Sequence, residues 1–321
     1  MQQIQLLKIT QKMIPVETRP LVSICIPTFN SAMHLEGAIN SALGQTYRNI
    51  EVLVCDNAST DGTQLIVEKI AARDKRVCYF RHPENLGMVL NFNACIKRSS
   101  GKYIKFLCSD DEITANCVFE MVKAMERSPD VALVACSRFL VDHAMNMVGI
   151  GRYADSNILL EGDVAVKHCF FRGNIIGEPT AVMFRKCTAL RGFNEKYLQL
   201  MDLEMWFYIL QKGQFEYLPE SLCRVRKHLN QATTFNLSSG VVLEDKRQLF
   251  RMFSEDFASS SSIVERSLWD IRMAITLKRT RDAGQLVKMS LIKEVYSPAI
   301  FSFLWCPIVY LTWPFICSVA K

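Results

Sequence analysis

Residues 21–112 repeat one unit, an apolar strand, a short polar loop and an amphipathic helix, and few architectures accept that order. Leu21–Ile26 (LVSICI) is an apolar run that stops at Pro27-Thr28-Phe29-Asn30. Ser31–Gln45 then carries Leu35, Ala38, Ile39 and Ala42 at helical spacing. Ile50–Cys55 is a second β run, closed by Asp56-Asn-Ala-Ser-Thr-Asp61-Gly62, and Thr63–Arg73 reads as the next helix. Val77–Phe80, Leu86–Arg98 and Lys102–Leu107 give a third strand, a third helix and a fourth strand, which runs into Ser109-Asp110-Asp111-Glu112. Parallel strands joined by right-handed crossovers satisfy this pattern. Ligands of such sheets gather at the carboxyl ends of the strands. The polar clusters at 27–30, 56–62 and 109–112 are therefore expected to converge on one site.

The middle of the chain is mixed. Val131–Cys136 and Thr180–Arg185 read as strands, Glu161–Phe171 as a helix, and Asp202–Lys212 as an amphipathic helix whose Trp206 and Phe207 are expected to face the core. Beyond about residue 240 the pattern is helical and basic, with six Lys/Arg and one acidic residue between Arg272 and Lys293. Tyr296–Ala320 then runs for 25 residues without a charge. That length could span a bilayer, but Pro298, Pro307 and Pro314 interrupt it, and Trp305, Tyr310 and Trp313 suit the headgroup region. A re-entrant or interface-lying segment is expected, with a buried C-terminal segment as the alternative.

The chain carries 38 Lys+Arg against 32 Asp+Glu, a net charge of +6 that suits an anionic membrane or a phosphorylated ligand but is too diffuse to point to nucleic acid. Twelve cysteines include no Cys-x-x-Cys pair and no Cys/His spacing that holds zinc. The first twenty residues lack the apolar core and cleavage site of a signal peptide. Reduced, buried thiols in a protein of the cytoplasm, or of the inner face of the plasma membrane, are the expectation.

Two clusters carry chemistry by residue type alone. Adjacent carboxylates at Asp110 and Asp111 repel unless a cation lies near, and Mg²⁺ or Mn²⁺ takes one or two carboxylates together with phosphate oxygens. The alternative is that either residue caps a helix near Thr114. In the 56–62 loop Asp61 is explained as a cap for the following helix, whereas Asp56 is left to accept a hydrogen bond from a base or ribose.

With these residues in view, VSICIPTFNSAMHLEGAINSALGQTYRNIEVLVCDNASTDGT (22–63) resembles the opening of family 2 glycosyltransferases, inverting enzymes of the GT-A fold. Arg81-His-Pro-Glu-Asn85-Leu-Gly87, Gly101–Leu107 and Ser109-Asp110-Asp111 continue the resemblance in order, and three linked motifs are more specific than any one. It is strong over 21–115, fair to about 235 and silent beyond 240. The resemblance implies a Rossmann-like nucleotide-binding sheet with helices on both faces. The expected organisation is a lead segment (1–20), a GT-A domain (21–240, with its nucleotide-sugar half at 21–115 and acceptor half at 116–240), a basic helical extension (241–295) and an apolar membrane-associating segment (296–321).

The resemblance also implies roles. Pro27, Thr28 and Asn30 would line the nucleotide pocket, Asp56 would meet the nucleobase, typically uracil, and Asn85, Gly87 and Ser109 would border the donor. Asp110 matches the metal-binding Asp of the family's Asp-x-Asp, while Cys108 replaces the first Asp of that motif. Asp202 matches the catalytic base, although Met201 stands where the family has an acid; Glu204 is the alternative base. Arg226 or Lys227 would meet the phosphates, and His228 the metal or diphosphate. From its own residues, Gly173–Thr180 reads mostly as ordinary turn chemistry, with Glu178 the one residue there to test for the acceptor side. The implied activity is transfer of a sugar from a nucleotide-diphosphate donor, a UDP-sugar above others, to a hydroxyl of a lipid-linked saccharide acceptor, in O-antigen, capsule or exopolysaccharide synthesis. A divalent metal is its cofactor. The rival is a non-catalytic nucleotide-binding or membrane scaffold protein of the same fold, suggested by Cys108. A nucleotidyltransferase is disfavoured, because Pro27–Asn30 is not a Gly-rich loop with a basic residue.

Overall fold

Seven consecutive residues without exposed surface have to lie inside a sheet covered on both faces. β1 (Val22–Thr28) is such a strand. The computed structural model describes residues 19–227 and, beyond them, 244–246, 248, 249 and 252. The chain divides into two units, Met1–Gln231 and Ala232–Lys321. In the second, the described positions are helical. His228, the Asn230–Gly240 stretch, nearly all of the basic extension and the apolar segment lie outside the described residues. No helix among the described residues is long and apolar enough to cross a membrane.

In chain order the first unit runs β1, α1 (Leu35–Leu43), β2 (Ile50–Asp56), α2 (Thr63–Ala71), β3 (Val77–Arg81), α3 (Met88–Arg98), β4 (Tyr103–Phe106), β5 (Glu112–Ile113) and α4 (Cys117–Met125). It continues with β6 (Val131–Val141), β7 (Met147–Gly151), β8 (Ile158–Leu160), α5 (Gly162–Arg172), β9 (Val182–Arg185), α6 (Met201–Leu210) and β10 (Gln214–Arg226). The strands form one ten-stranded sheet in the order β3-β2-β1-β4-β9-β6-β10-β5, with β7 on β6 and β8 on β10. β3, β2, β1 and β4 are parallel, as the repeating pattern requires. β9 is antiparallel to both β4 and β6, while β10 runs parallel to β6. The sheet is therefore mixed beyond β4.

Several boundaries move from those read in the sequence. α1 begins at Leu35 and not Ser31, because Asn30 adopts φ +47° and the Ser31 amide is held by the Thr63 hydroxyl at 3.0 Å. The helix expected near Thr114 starts at Cys117, capped at Asn116, and Glu112–Ile113 forms β5, so neither Asp110 nor Asp111 is a helix cap. Pro179–Ala181 is a 3-10 turn ahead of β9. β10, thirteen residues long, was not read from the sequence; Pro219 and the polar residues within it mask the apolar alternation.

An aromatic core fastens the two halves of the sheet. Phe92 of α3 lies 4.8 Å from Phe106 of β4, and Phe106 lies 6.0 Å from Phe184 of β9, measured between ring centroids. Trp206 of α6 packs on Phe184 at 5.7 Å and on Phe193 at 6.1 Å. Trp206 and Phe207 face the core as expected. Among the described residues the cysteines are free and most are buried, the burial expected from the sequence.

Close backbone approach fixes the position of α5. A Cβ at Gly162, its first residue, would lie 1.8 Å from the Leu210 carbonyl oxygen and 2.4 Å from that of Gly213. Neither neighbour is a flexible side chain, so Gly162→Ala is expected to destabilise the fold by about 3 kcal/mol. Equilibrium urea unfolding measures this, and an unchanged midpoint would contradict the approach.

Candidate active site

Strand register alone brings three motif residues side by side. Thr28 is opposite Asp56, and Asp56 is opposite Arg81. Asp56 is fully buried. Its Oδ1 accepts the Ser59 amide at 2.9 Å and the Ser59 hydroxyl at 2.5 Å, and its Oδ2 accepts the Tyr79 hydroxyl at 2.7 Å. Arg81 Nε stands 3.5 Å from the same Oδ2, supplying the countercharge a buried carboxylate needs. Burial, and then the bond to Asp56, push the Tyr79 phenol above its ordinary value.

The first two loops are laced together. Asn30, in the left-handed conformation that Asn tolerates, donates its amide to the Ser59 hydroxyl at 2.9 Å and accepts the Thr60 amide on Oδ1 at 2.8 Å. Asp61 takes the Thr63 and Ala32 amides at 2.9 and 3.0 Å. Burial opposes its charge, but these hydrogen bonds outweigh it and hold the carboxyl below the usual range. The cap residue of α2 itself is Gly62, one position later than the sequence suggested.

The third loop is fixed by side-chain amides. Asn57 donates Nδ2 to Asn85 Oδ1 at 2.7 Å and accepts the Leu86 amide at 2.8 Å, while Asn85 Oδ1 also accepts the Gly87 amide at 2.9 Å. Gly87 caps α3 with φ +85°, a conformation natural to glycine. Asn91 of α3 donates to the Cys55 carbonyl at 2.9 Å and the Thr28 carbonyl at 3.3 Å. Thr28 Oγ1 and Asn91 Oδ1 are buried without a hydrogen-bond partner, which is unusual for buried polar atoms. Pro27 is buried beside them, at the end of β1. Tyr79, Ser59 and Arg81 were not singled out from the sequence; the signal available was the position of Arg81 at the head of its motif.

The carboxylate turn follows β4. Cys108, Asp110 and Asp111 offer ligand atoms that all lie within 4.8 Å of one another. Asp111 is buried; its Oδ2 accepts the Thr180 hydroxyl at 2.6 Å and its Oδ1 the Arg226 amide at 2.8 Å. Burial, and then the charge of Asp110, push the Asp111 carboxyl up to about 8. Asp110 keeps exposed surface. Two such carboxylates are relieved by a divalent cation, so the pair fits one, with Asp110 as the accessible donor. The Cys108 thiol, raised well above its ordinary value by burial and by both aspartates, is a soft donor that suits Mg²⁺ poorly. Ser109 Oγ is 2.8 Å from Ser31 Oγ, which ties this turn to the loop after β1.

Arg226, at the end of β10, is 5% exposed. Its Nε donates to the Asp110 carbonyl at 2.8 Å and its Nη1 to the carbonyls of Asp142 and His143. Lys227 is more exposed and stands 3.2 Å from Glu178 Oε1, while Arg138 Nε lies 2.5 Å from Glu178 Oε2. Burial works against the charge of Glu178, but Arg138 and Lys227 prevail and keep its carboxyl below the usual range.

The two candidate bases on α6 occupy different environments. Asp202, in the first helical turn, has exposed surface, and its Oδ1 accepts the Leu203 amide at 2.7 Å. Glu204 is fully buried and grips Arg191 through both oxygens at 2.9 and 2.6 Å, with the guanidinium 3.9 Å above the Tyr208 ring. Glu204 is thereby a structural ion pair and not an accessible base. Arg191→Met, which strands a buried carboxylate, is expected to cost about 3 kcal/mol. Asp202→Asn should cost less than about 1 kcal/mol. Urea unfolding of both variants makes the comparison, and equal losses would contradict it.

The model of glycosyl transferase family 2 matches residues 23–170. An uncharacterized glycosyltransferase of Rickettsia typhi is 30% identical over 250 residues, covering 76% of this chain and 75% of that protein. A UDP-Glc:α-D-GlcNAc-diphosphoundecaprenol β-1,3-glucosyltransferase of Escherichia coli is 28% identical over 193 residues, 60% of this chain and 71% of the other. Among solved structures, S. aureus TarS 1–349 in complex with UDP-GlcNAc aligns with a TM-score of 0.55 at 16% identity over 81% of each chain. A mannosyltransferase of Pyrobaculum calidifontis in complex with GDP-Man and Mn²⁺ aligns with the same TM-score of 0.55 at 16% identity, over 98% of this chain and 88% of that one. The strand order, the laced loops at the strand ends and these likenesses agree: the chain belongs to glycosyl transferase family 2 and has the GT-A fold.

Proposed function

We propose that the protein transfers a sugar from a UDP-sugar to a hydroxyl of a saccharide acceptor, by a single displacement with inversion. The observation that carries this is the junction of two sites at one sheet edge: the Asp56 cluster and the Asp110–Asp111 turn, linked through Ser31 and Ser109. Pro27, Thr28 and Asn30 line the nucleotide pocket, Asp56 with Arg81 reads the base, and Asn85, Gly87 and Ser109 border the donor. Lys227 is the better placed of the Arg226–Lys227 pair to meet phosphates, since its ammonium is the more exposed. A divalent cation, Mn²⁺ or Mg²⁺, held by Asp110 with His228 would neutralise the diphosphate and the charge growing on the leaving group. Asp202 takes the proton of the acceptor hydroxyl as attack proceeds, and the positive end of α6 keeps it ionised. No nucleophile of the chain is needed.

The acceptor is proposed to be lipid-linked, in surface-polysaccharide synthesis at the cytoplasmic face of the membrane, with no nucleic acid involved. The E. coli relative, whose name includes a diphosphoundecaprenol-linked sugar, supports this, as do the basic run before residue 296 and the uncharged segment after it. Removal of residues 296–321 is expected to shift the protein from the membrane fraction to the supernatant; unchanged partitioning would refute membrane docking by this segment.

The decisive test is thermal stability against UDP, GDP, dTDP and CMP, with and without Mn²⁺, followed by turnover. A nucleotide at a hundred times its Kd stabilises by about 2.7 kcal/mol. The expected result is a UDP shift that grows with Mn²⁺ in the wild type and loses that increment in Asp110→Ala. Asp202→Asn should keep the shift and lower kcat by about 10²–10⁴-fold. No shift with any nucleotide, and no turnover, would favour the non-catalytic scaffold, for which Cys108 would be the reason.

A further inference from the structure

Asp111 has both carboxylate oxygens engaged by the protein, and one partner comes from the turn that leads into β9, the strand paired with β4. Thr180, in the 3-10 turn before β9, is fully buried. Its Oγ1 accepts the Cys108 amide at 3.0 Å and donates to Asp111 Oδ2 at 2.6 Å, so one hydroxyl grips both ends of the carboxylate turn. The Thr180 carbonyl in turn accepts the buried Lys105 ammonium, which also donates to the Phe106 carbonyl at 3.2 Å. From the opposite side the Arg226 amide holds Asp111 Oδ1 at 2.8 Å, and Arg226 Nε holds the Asp110 carbonyl at 2.8 Å. Three residues earlier in the Thr180 loop, the Gly177 carbonyl accepts Trp206 Nε1 of α6, the helix that carries Asp202, at 3.3 Å.

We infer that Thr180 is a positioning residue for the metal-binding turn: it fixes Asp111 as the anchored carboxylate and so presents Asp110 to a divalent cation. This rests on the metal reading above. The two aspartates then divide the work. Asp111 is spent on holding the turn, and Asp110 is the carboxylate of the two that keeps exposed surface. The same loop, bonded to α6, keeps the Asp202 helix in a set relation to that turn. Outer hydrogen-bond partners of metal ligands typically change metal affinity by about 10–100-fold when removed. That range is carried over to Thr180 because its hydroxyl holds the turn that bears Asp110 at both ends, as donor to Asp111 and acceptor from the Cys108 amide.

The test is Mn²⁺ binding to the full chain with saturating UDP, read from the free-Mn²⁺ paramagnetic resonance signal. Thr180→Val keeps the shape and removes the hydroxyl; it is expected to weaken Mn²⁺ binding by about 10–100-fold while leaving metal-free UDP binding unchanged. Thr180→Ser, which restores the hydroxyl, is expected to return wild-type affinity, a rescue that a packing role would not give. Thr180→Cys, with only a weak S–H donor, keeps the test decisive should the valine variant not fold, and is expected to weaken binding by about tenfold. Wild-type Mn²⁺ affinity in folded Thr180→Val or Thr180→Cys overturns the inference and leaves the metal reading standing. A wild-type protein that binds UDP but no Mn²⁺ overturns the metal reading, and this inference with it.

Discussion

The burial of β1 on both faces and along both edges is the constraint from which the site follows. Its seven residues have no freedom to slip, since a one-residue shift would turn every side chain to the other face. Pairing Val22 to Ile50 at one end places Thr28 beside Asp56 at the other, and β3 continues the line to Arg81. Loops that leave parallel strands at a common level are near neighbours whatever their sequence, and here each carries amides or hydroxyls that reach across to the next. The edge is thus a small hydrogen-bonded scaffold before any ligand arrives, which lowers the cost of ordering it on binding.

Electrostatics separate groups that look alike in sequence. Asp56, Asp111 and Glu204 are all buried, yet each answers burial differently. Asp56 is surrounded by hydroxyl, amide and guanidinium donors, and Glu204 by a bidentate arginine. Asp111 has two neutral donors and a neighbouring carboxylate, and burial lifts its pKa. Arg226 shows the complementary case: a cation whose main-chain amide and Nε bind the carboxylate turn and whose Nη1 binds the 142–143 loop, so that these two segments and the end of β10 meet at one residue. Buried charge of this kind organises chain segments when every partner is in place.

The parallel half of the sheet was legible because its strands are continuous apolar runs and its crossovers are amphipathic, two signals that do not depend on distant partners. The three polar clusters were legible because the ends of such strands have to converge. The antiparallel half was harder. β10 carries Pro219 and polar residues in its span, and its partners β6, β8 and β5 come from widely separated stretches, so no local pattern announces it. Thr180, in a 3-10 turn, Ser59, in a loop, and Tyr79, in β3, are illegible for the same reason: a hydroxyl carries no signal until the segment it faces is known.

Residue type and order by themselves determined the parallel half of the sheet, its polar strand ends and the family, and the family resemblance drew attention to Asp110 and Asp202. Those features are written in periodicity and in motifs whose members sit within a few residues of one another. Which carboxylate is accessible was decided only in three dimensions. Glu204 and Asp202 are two residues apart, but one turns into the core against Arg191 and the other keeps its surface. Asp110 and Asp111 are adjacent, but Thr180 and Arg226, 69 and 115 positions beyond Asp111, hold the carboxylate of Asp111 in the interior, while Asp110 keeps exposed surface. Burial and hydrogen bonding are properties of neighbours brought together by folding, and sequence proximity carries no record of them.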